Sequence, residues 1–192
     1  MHNWKIAKQF DFCYGHRVWS QKLKEGFATN LSCACRHYHG HQGKIIIYLS
    51  SNTLTDGMVT DFKHLGWFKQ WLDDTLDHKF IFDVNDPILP FEVAHIFDKD
   101  KNLRKEYLIY YPNEDYYTLN LSNPFIEELT ELEPALMEKY EGLVLVNFVP
   151  TSENLSKWIY DVVDKKMSPL NIKVERIQFY ETPKSQANYY NE

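Results

Sequence analysis

The sequence predicts an α+β fold built on a four-stranded antiparallel sheet with two helices on one face. Four segments carry strand patterns, either alternating apolar and polar residues or short β-branched runs: 4–16, 41–50, 142–149 and 171–181. Two segments repeat apolar residues every three or four positions, as amphipathic helices do: 61–76 and about 152–168. The order β-β-α, an intervening segment and then β-α-β is typical of the α+β class.

The first strand ends at a histidine. His16 has the same parity as Phe10, Phe12 and Tyr14, so its ring is predicted on the apolar face, near the end of the strand. An imidazole in that setting needs a polar partner, and a metal ion is one such partner.

The second strand begins with two more histidines. His39 and His41 are two residues apart, so both rings project from the same face. His16 is the predicted third ligand, because the first two strands can pair. Three imidazoles without a thiolate match a catalytic zinc site with an open position.

A thiol just before this strand leaves two interpretations open. Cys33 and Cys35 could join His39 and His41 in a structural zinc site with four ligands. Alternatively, Cys35 lies beside the metal as a thiolate that acts as base or nucleophile, or it is an inert buried thiol.

Three further positions are candidates for the site. Asp77 and His78 follow the first helix, either as a base with its carboxylate or as a helix-end histidine, and adjacent helical residues do not face one another. Glu181 lies on the apolar parity of the last strand, as an edge residue or a ligand anchor. Thr151 is most simply the cap of the second helix.

The middle of the chain carries no recognisable chemistry. Two tyrosine-rich runs around residues 112–115 predict a hairpin, and a helix is expected from Pro124 to Tyr140. We expect one domain over residues 1–192, with an insertion at about 91–141.

Composition narrows the function classes. The formal net charge of −6 gives no basic field for nucleic acid or anionic membranes. Three cysteines are too few for a disulfide scaffold and favour a reducing compartment. No apolar run is long enough to span a membrane and the N-terminus has no apolar signal core, so we expect a cytoplasmic protein.

Six short pieces of the chain together resemble the family of 6-pyruvoyltetrahydropterin and 6-carboxytetrahydropterin synthases. They include F-x-x-x-H ending at His16 and C-x-x-x-H-G-H ending at His41. In chain order the pieces are 12–16, 35–41, 56–62, 76–78, 150–155 and 181–183, the last followed by Ser185, Ala187 and Tyr189. The resemblance covers about residues 4–90 and 142–190.

The resemblance implies a role for each candidate residue. It implies zinc ligands at His16, His39 and His41, and proton-relay residues at Cys35, Asp77 and His78. It also implies that Glu181 anchors the guanidine-like edge of a pterin and that Thr151 is a second pterin contact. The implied fold is the tunnelling T-fold, whose sheets close into a barrel in a trimer, with two trimers forming a homohexamer.

The implied activity is that of a zinc-dependent lyase acting on 7,8-dihydroneopterin triphosphate. We expect the products 6-carboxytetrahydropterin, acetaldehyde and triphosphate, on the way to queuosine-type deazapurines. The alternatives are a 6-pyruvoyltetrahydropterin synthase, which only eliminates triphosphate, and a non-catalytic binding module stabilised by zinc. Arg17 and Arg36 are candidate triphosphate ligands.

Overall fold

The computed structural model describes residues 4–28, 31 and 33–190. The strands are β1 Trp4–His16, β2 His39–Ser51, β3 Lys79–Asp83, β4 Leu108–Tyr111, β5 Tyr116–Leu119, β6 Leu143–Val146, β7 Lys173–Thr182 and β8 Ser185–Tyr190. The helices are α1 Gly66–Thr75, α2 Leu89–Glu92, α3 Pro124–Leu132, α4 Ala135–Glu141 and α5 Ser152–Met167. The α+β class is therefore confirmed.

One compact unit contains the chain up to Tyr14, His41–His78 and the chain from Thr151 onward. Its strand order is β1-β2-β7-β8. β7 is antiparallel to both β2 and β8. On β2, every second side chain is fully buried, which is the strand period that the sequence predicted: Ile45, Ile47 and Leu49.

The two longer helices of this unit lie on the same face of its sheet. Phe68 of α1 packs edge-on against Phe10 of β1, with ring centroids 4.9 Å apart. Trp71 of α1 meets Trp158 of α5 at 5.6 Å. Because α1 touches both the sheet and α5, one apolar layer holds all three elements together.

The other compact unit contains Gly15–Gly40 and Lys79–Pro150. Its strand order is β4-β5-β6-β3, and the predicted tyrosine hairpin is present as β4 and β5, with Tyr111 opposite Tyr116. The unit has its own buried core, formed by Phe82, Leu89, Val93, Ile96, Tyr107, Leu119, Ile126, Tyr140, Leu143 and Leu145.

The sheet differs from the prediction in strand number and in one pairing. The described part of the chain has eight strands: the predicted hairpin adds β4 and β5 to the four predicted strands, and β3 and β8 were not predicted. β3 and β6 are parallel, with Phe80 opposite Leu143. A parallel pair needs a long crossover, and the residues between β3 and β6 supply it.

Two other boundaries differ for simple physical reasons. The helix expected from Pro124 to Tyr140 is divided into α3 and α4 around Pro134, whose ring nitrogen cannot donate to the preceding turn. The first helix begins as a 3₁₀ turn at Phe62–Leu65, where Asp61 accepts a 2.7 Å hydrogen bond from the backbone N–H of Lys63. The predicted loop at 17–34 includes residues 29, 30 and 32, which lie outside the described residues.

Among the described residues, no helix combines the length and apolar character that crossing a bilayer requires. The expectation of one domain with an insertion at 91–141 stays a prediction.

Candidate active site

Two of the predicted metal ligands are held by backbone carbonyls. His16 is fully buried at the end of β1, and its Nδ1–H donates to the carbonyl oxygen of Pro150 at 2.6 Å. The Nδ1–H of His39 donates to the carbonyl of His37 at 2.9 Å, and the His16 and His39 rings lie 4.6 Å apart. Because a carbonyl can only accept, Nδ1 of both rings carries a proton, and a hydrogen bond from Nδ1 to a carbonyl is usual in metal-binding histidines.

The third predicted ligand contacts a carboxylate. His41 Nε2 lies 3.3 Å from an oxygen of Glu181, and its ring lies 5.7 Å from that of Tyr14. Burial, and secondarily the negative charge of Glu181, raise the pKa of Tyr14 well above its usual value. Tyr14 therefore contributes a neutral phenol to this environment.

Two pairs of side chains could contribute metal ligands. The His16 and His39 rings lie together in one compact unit, and His41 is in contact with Glu181 in the other. Imidazole nitrogens and carboxylate oxygens are a donor set that zinc uses, and the Nδ1 bonds of two rings suit it further. The histidine set is the predicted one, whereas Glu181 is additional.

The position of Glu181 follows from strand register. Lys44 near the start of β2 is opposite Tyr180 near the end of β7, so the end of one strand lies beside the start of the other. The alternation of residues predicted Glu181 on the apolar face of its strand, but it did not predict the register between β2 and β7. Its contact with His41 could therefore not be predicted.

Asp77 and His78 lie beyond the end of α1, in a turn rather than in the helix. His78 has a φ of 60°, a left-handed conformation that is uncommon for a residue with a side chain. This conformation accompanies a 3.1 Å contact between His78 Nδ1 and Asp77 Oδ1. The two side chains thus form the direct pair that helical geometry would have prevented.

The pair is bonded to β1 at Cys13. The Cys13 N–H donates to Asp77 Oδ1 at 2.7 Å, and the His78 N–H donates to the Cys13 carbonyl at 2.7 Å. Ligand-type atoms of Cys13, Asp77 and His78 all lie within 4.8 Å of one another. Cys13 could not be predicted as a member of this group, because no spacing rule links residue 13 to residues 77 and 78.

Cys35 lies in the short 3₁₀ helix Ala34–Arg36 and is half-buried. Its carbonyl accepts a 2.7 Å hydrogen bond from the N–H of Val18. The Cys33 thiol donates to Gln21 Oε1 at 2.7 Å.

The segment between His16 and His39 contacts the last residue of β3 and the loop that follows it. Arg17 Nε lies 3.2 Å from Asp86 Oδ2, and both side chains are almost completely buried. Burial raises the pKa of Asp86, whereas Arg17 acts in the opposite direction. Trp19 Nε1–H donates to Asp83 Oδ2 at 2.9 Å.

A third contact of this segment is made by Tyr38, the residue just before His39. The Tyr38 hydroxyl donates to Glu92 Oε1 at 2.7 Å, and Lys139 Nζ lies 2.7 Å from Glu92 Oε2. Hydrogen bonds from Lys139 and Tyr38 lower the pKa of Glu92. The Tyr38 ring also packs edge-on against Phe80 and Phe82. Residues of the predicted insertion therefore support the chain immediately before a predicted metal ligand.

A pocket of about 410 Å³ adjoins this segment and is lined by Arg17, Leu31, Cys33, Arg36 and His37. The guanidinium groups of Arg17 and Arg36 give the lining a cationic character. Both arginines proposed from the sequence as triphosphate ligands thus line the same pocket.

Thr151 caps α5 as the sequence predicted. Its side-chain oxygen accepts a 3.3 Å hydrogen bond from the N–H of Asn154. The preceding residue, Pro150, supplies the carbonyl that holds His16. The residue just before the helix cap therefore orients a predicted metal ligand.

Comparison with known proteins gives one consistent family. A family model described as 6-pyruvoyl tetrahydropterin synthase matches residues 5–192. A 6-carboxy-5,6,7,8-tetrahydropterin synthase from Aquifex aeolicus (strain VF5) is 29% identical over 201 residues, covering 98% of this chain and 99% of the relative.

Solved structures agree with this result. An uncharacterized protein from Wolinella succinogenes has a TM-score of 0.88 and 44% identity, with 98% of each chain covered. Caenorhabditis elegans 6-pyruvoyl tetrahydropterin synthase has a TM-score of 0.53 and 19% identity, covering 98% of this chain and 95% of its own. At that identity the likeness concerns the fold, and the predicted T-fold is confirmed. The chain therefore belongs to the 6-pyruvoyl tetrahydropterin synthase family, a family of pterin-processing lyases, as the sequence predicted.

Proposed function

We propose that the protein is a zinc-dependent lyase that converts 7,8-dihydroneopterin triphosphate into 6-carboxy-5,6,7,8-tetrahydropterin, acetaldehyde and triphosphate. The observations that carry this proposal are the 4.6 Å separation of the His16 and His39 rings and the 3.3 Å contact between His41 and Glu181. The full-length similarity to a relative named 6-carboxy-5,6,7,8-tetrahydropterin synthase supports the carboxy product over the pyruvoyl product. The product would serve the synthesis of queuosine-type deazapurines.

His16, His39 and His41 are the proposed zinc ligands. Bound zinc would supply Lewis acidity toward the hydroxyl oxygens of the substrate side chain. The protein's own contribution is orientation, since hydrogen bonds to the carbonyls of Pro150 and His37 fix the orientation of two of the rings.

Cys35, Asp77 and His78 are the proposed proton-transfer groups. Asp77 holds the His78 ring by the 3.1 Å contact at Nδ1 and is itself held by the Cys13 N–H. A carboxylate bonded to Nδ1 stabilises the protonated ring and fixes its orientation. His78 can then give a proton to the substrate side chain or take one from it, while Cys35 acts as the second base.

Glu181 and Thr151 are the proposed pterin contacts. A carboxylate matches the paired N–H donors of the guanidine-like edge of the ring, and such bidentate bonds are strong and directional. The side chain of Glu181 is only partly buried, which leaves it accessible to a ligand.

The triphosphate is proposed to lie in the pocket lined by Arg17 and Arg36. Arg36 follows Cys35 directly, and Arg17 follows His16. A substrate whose side chain reaches the metal ligands would therefore carry its phosphate groups toward these two guanidinium groups, which bind phosphate oxygens well.

We also propose the homohexamer, as two stacked trimers. β8 is last in the strand order of its unit, so one of its sides offers backbone hydrogen-bonding groups to another chain. Pairing of such edges between subunits would close the sheets into a barrel.

Product analysis tests the proposal. The zinc-loaded protein is incubated with 7,8-dihydroneopterin triphosphate, and the pterin product and released acetaldehyde are identified. We expect a carboxypterin and acetaldehyde in equal amounts. A pyruvoyl pterin without acetaldehyde would favour the alternative synthase, and an unchanged substrate would contradict a lyase acting on this compound.

A further inference from the structure

The thiol of Cys13 lies beside the side chains of Asp77 and His78. Cys13 is exposed, and its sulfur belongs to the group of three ligand-type atoms that lie within 4.8 Å of one another. The family resemblance assigns Asp77 and His78 a thiol partner at Cys35. The geometry around Cys13 therefore adds a second thiol to the proposed proton-transfer groups.

Reciprocal backbone bonds fix the position of Cys13. Its N–H donates to the Asp77 carboxylate, and its carbonyl accepts from the His78 N–H, each at 2.7 Å. Residue 13 in a long strand and residues 77 and 78 in a turn are thus linked at two points. Because the backbone is already fixed, only the side-chain conformational entropy of Cys13 is lost when its thiol contacts Asp77 and His78.

The backbone of His78 gives an independent indication. Its φ of 60° is costly for a residue with a Cβ, and such strain is concentrated at functional sites. In this conformation the imidazole lies against Asp77 and near Cys13 while 80% of its side chain stays exposed. A purely structural turn at this position would not need a histidine that is so open to solvent.

We propose that Cys13, His78 and Asp77 form a thiol–imidazole–carboxylate relay, in which Cys13 exchanges a proton with His78. The proton leaves sulfur and joins a ring nitrogen, which gives a thiolate and an imidazolium stabilised by Asp77, and the reverse transfer restores the neutral pair. Cys13 is thus a positioning residue that keeps His78 supplied with a proton. Its use in turnover depends on the proposed lyase function.

Site-resolved alkylation tests the relay without relying on turnover. The folded, zinc-loaded protein is treated with iodoacetamide at neutral pH, and the modification of Cys13 over time is followed by peptide mass spectrometry. Because thiolate reacts and thiol does not, we expect His78→Gln to slow the alkylation of Cys13 by on the order of tenfold. The matched control is His64→Gln, since His64 is also exposed and is bonded only locally to Thr60.

Two outcomes of this experiment would overturn the proposal. One is equal alkylation of Cys13 in the wild-type protein and in His78→Gln. The other is stoichiometric protection of Cys13 by zinc added beyond the amount bound at the histidine site. That result would make Cys13, Asp77 and His78 a metal site rather than a relay.

Turnover supplies the second readout. We expect Cys13→Ala to lower kcat by about tenfold with KM unchanged, because Cys13 acts through His78 and does not bind substrate. Cys13→Ser, which keeps a donor and acceptor, should recover part of this loss. An unchanged kcat in Cys13→Ala would contradict the relay, whereas a wild-type protein without turnover would contradict the lyase and leave the alkylation result to decide the relay.

Discussion

The Tyr38 hydroxyl is bonded to Glu92 at 2.7 Å, and Tyr38 immediately precedes the proposed zinc ligand His39. Glu92 is held in turn by Lys139, so two residues of the predicted insertion support the start of β2. This relationship gives the predicted insertion a concrete effect on the proposed site, because it supports the chain that presents a proposed metal ligand.

Tyr38→Phe removes this hydrogen bond and keeps the ring that packs on Phe80 and Phe82. We expect a loss of at most about 1 kcal/mol in the free energy of unfolding, because half of the Tyr38 side chain is exposed. We also expect zinc to be released faster, measured with a chromogenic chelator. The matched control is Tyr110→Phe, which removes a comparable 2.8 Å bond to Asp115 elsewhere in the predicted insertion. Equal release rates in both variants would show that the Tyr38 bond does not support His39.

His95 predicts a pH dependence of stability. Burial, and then the positive charges of Arg104 and Lys139, lower its pKa below the ordinary value of 6.5. The unfolded chain therefore binds the proton more readily than the folded chain, and the free energy of unfolding should be greatest above 6.5 and fall as the pH drops below it. Urea unfolding at about pH 5.5 and about pH 7.5 measures this difference. His95→Gln should reduce it, and an unchanged difference would assign the pH dependence to other groups.

Glu181→Gln separates a pterin anchor from a zinc ligand. If Glu181 anchors the pterin, the substitution should leave the zinc content unchanged. It should raise KM by roughly ten- to a hundredfold, which corresponds to the binding free energy of a charge-assisted hydrogen-bonded pair. Glu175→Gln is the matched control, because Glu175 lies on the same strand and pairs with Lys5. Loss of zinc in Glu181→Gln alone would identify the carboxylate as a metal ligand.

Thr151→Ala should destabilise α5. Its side-chain oxygen caps the helix at the N–H of Asn154, and loss of such a cap costs about 1 kcal/mol. Thr151→Ser keeps the cap and should restore stability in urea unfolding. If Thr151 also contacts the pterin, Thr151→Ala should raise KM as well. Wild-type stability in Thr151→Ala would show that the cap contributes little.

Strand parity predicted the part of the site that depends on local geometry. The rings of His39 and His41 share a face because side chains alternate along a strand, and His16 follows the apolar parity of β1. The face on which each ring lies depends on only a few neighbouring residues, so it could be predicted from the sequence alone. Thr151 is similar, since a helix cap involves only the next three residues.

The parts that the sequence did not predict depend on long-range pairing. The contact of Glu181 with His41 requires the register between β2 and β7. The approach of Cys13 to His78 requires a left-handed turn at His78. β3 has only five residues and is paired in parallel with β6, so its pattern was too short to be distinguished from the loop around it.

Zinc content measured beside turnover in two variants tests the account most directly. His39→Ala removes a proposed ligand, and Cys35→Ala removes a proposed base. We expect His39→Ala to lose both zinc and turnover, and Cys35→Ala to keep zinc at the wild-type amount while turnover falls by at least about a hundredfold. Loss of zinc in Cys35→Ala, or full turnover in His39→Ala, would contradict the assignment of imidazoles to the metal and of the thiol to proton transfer.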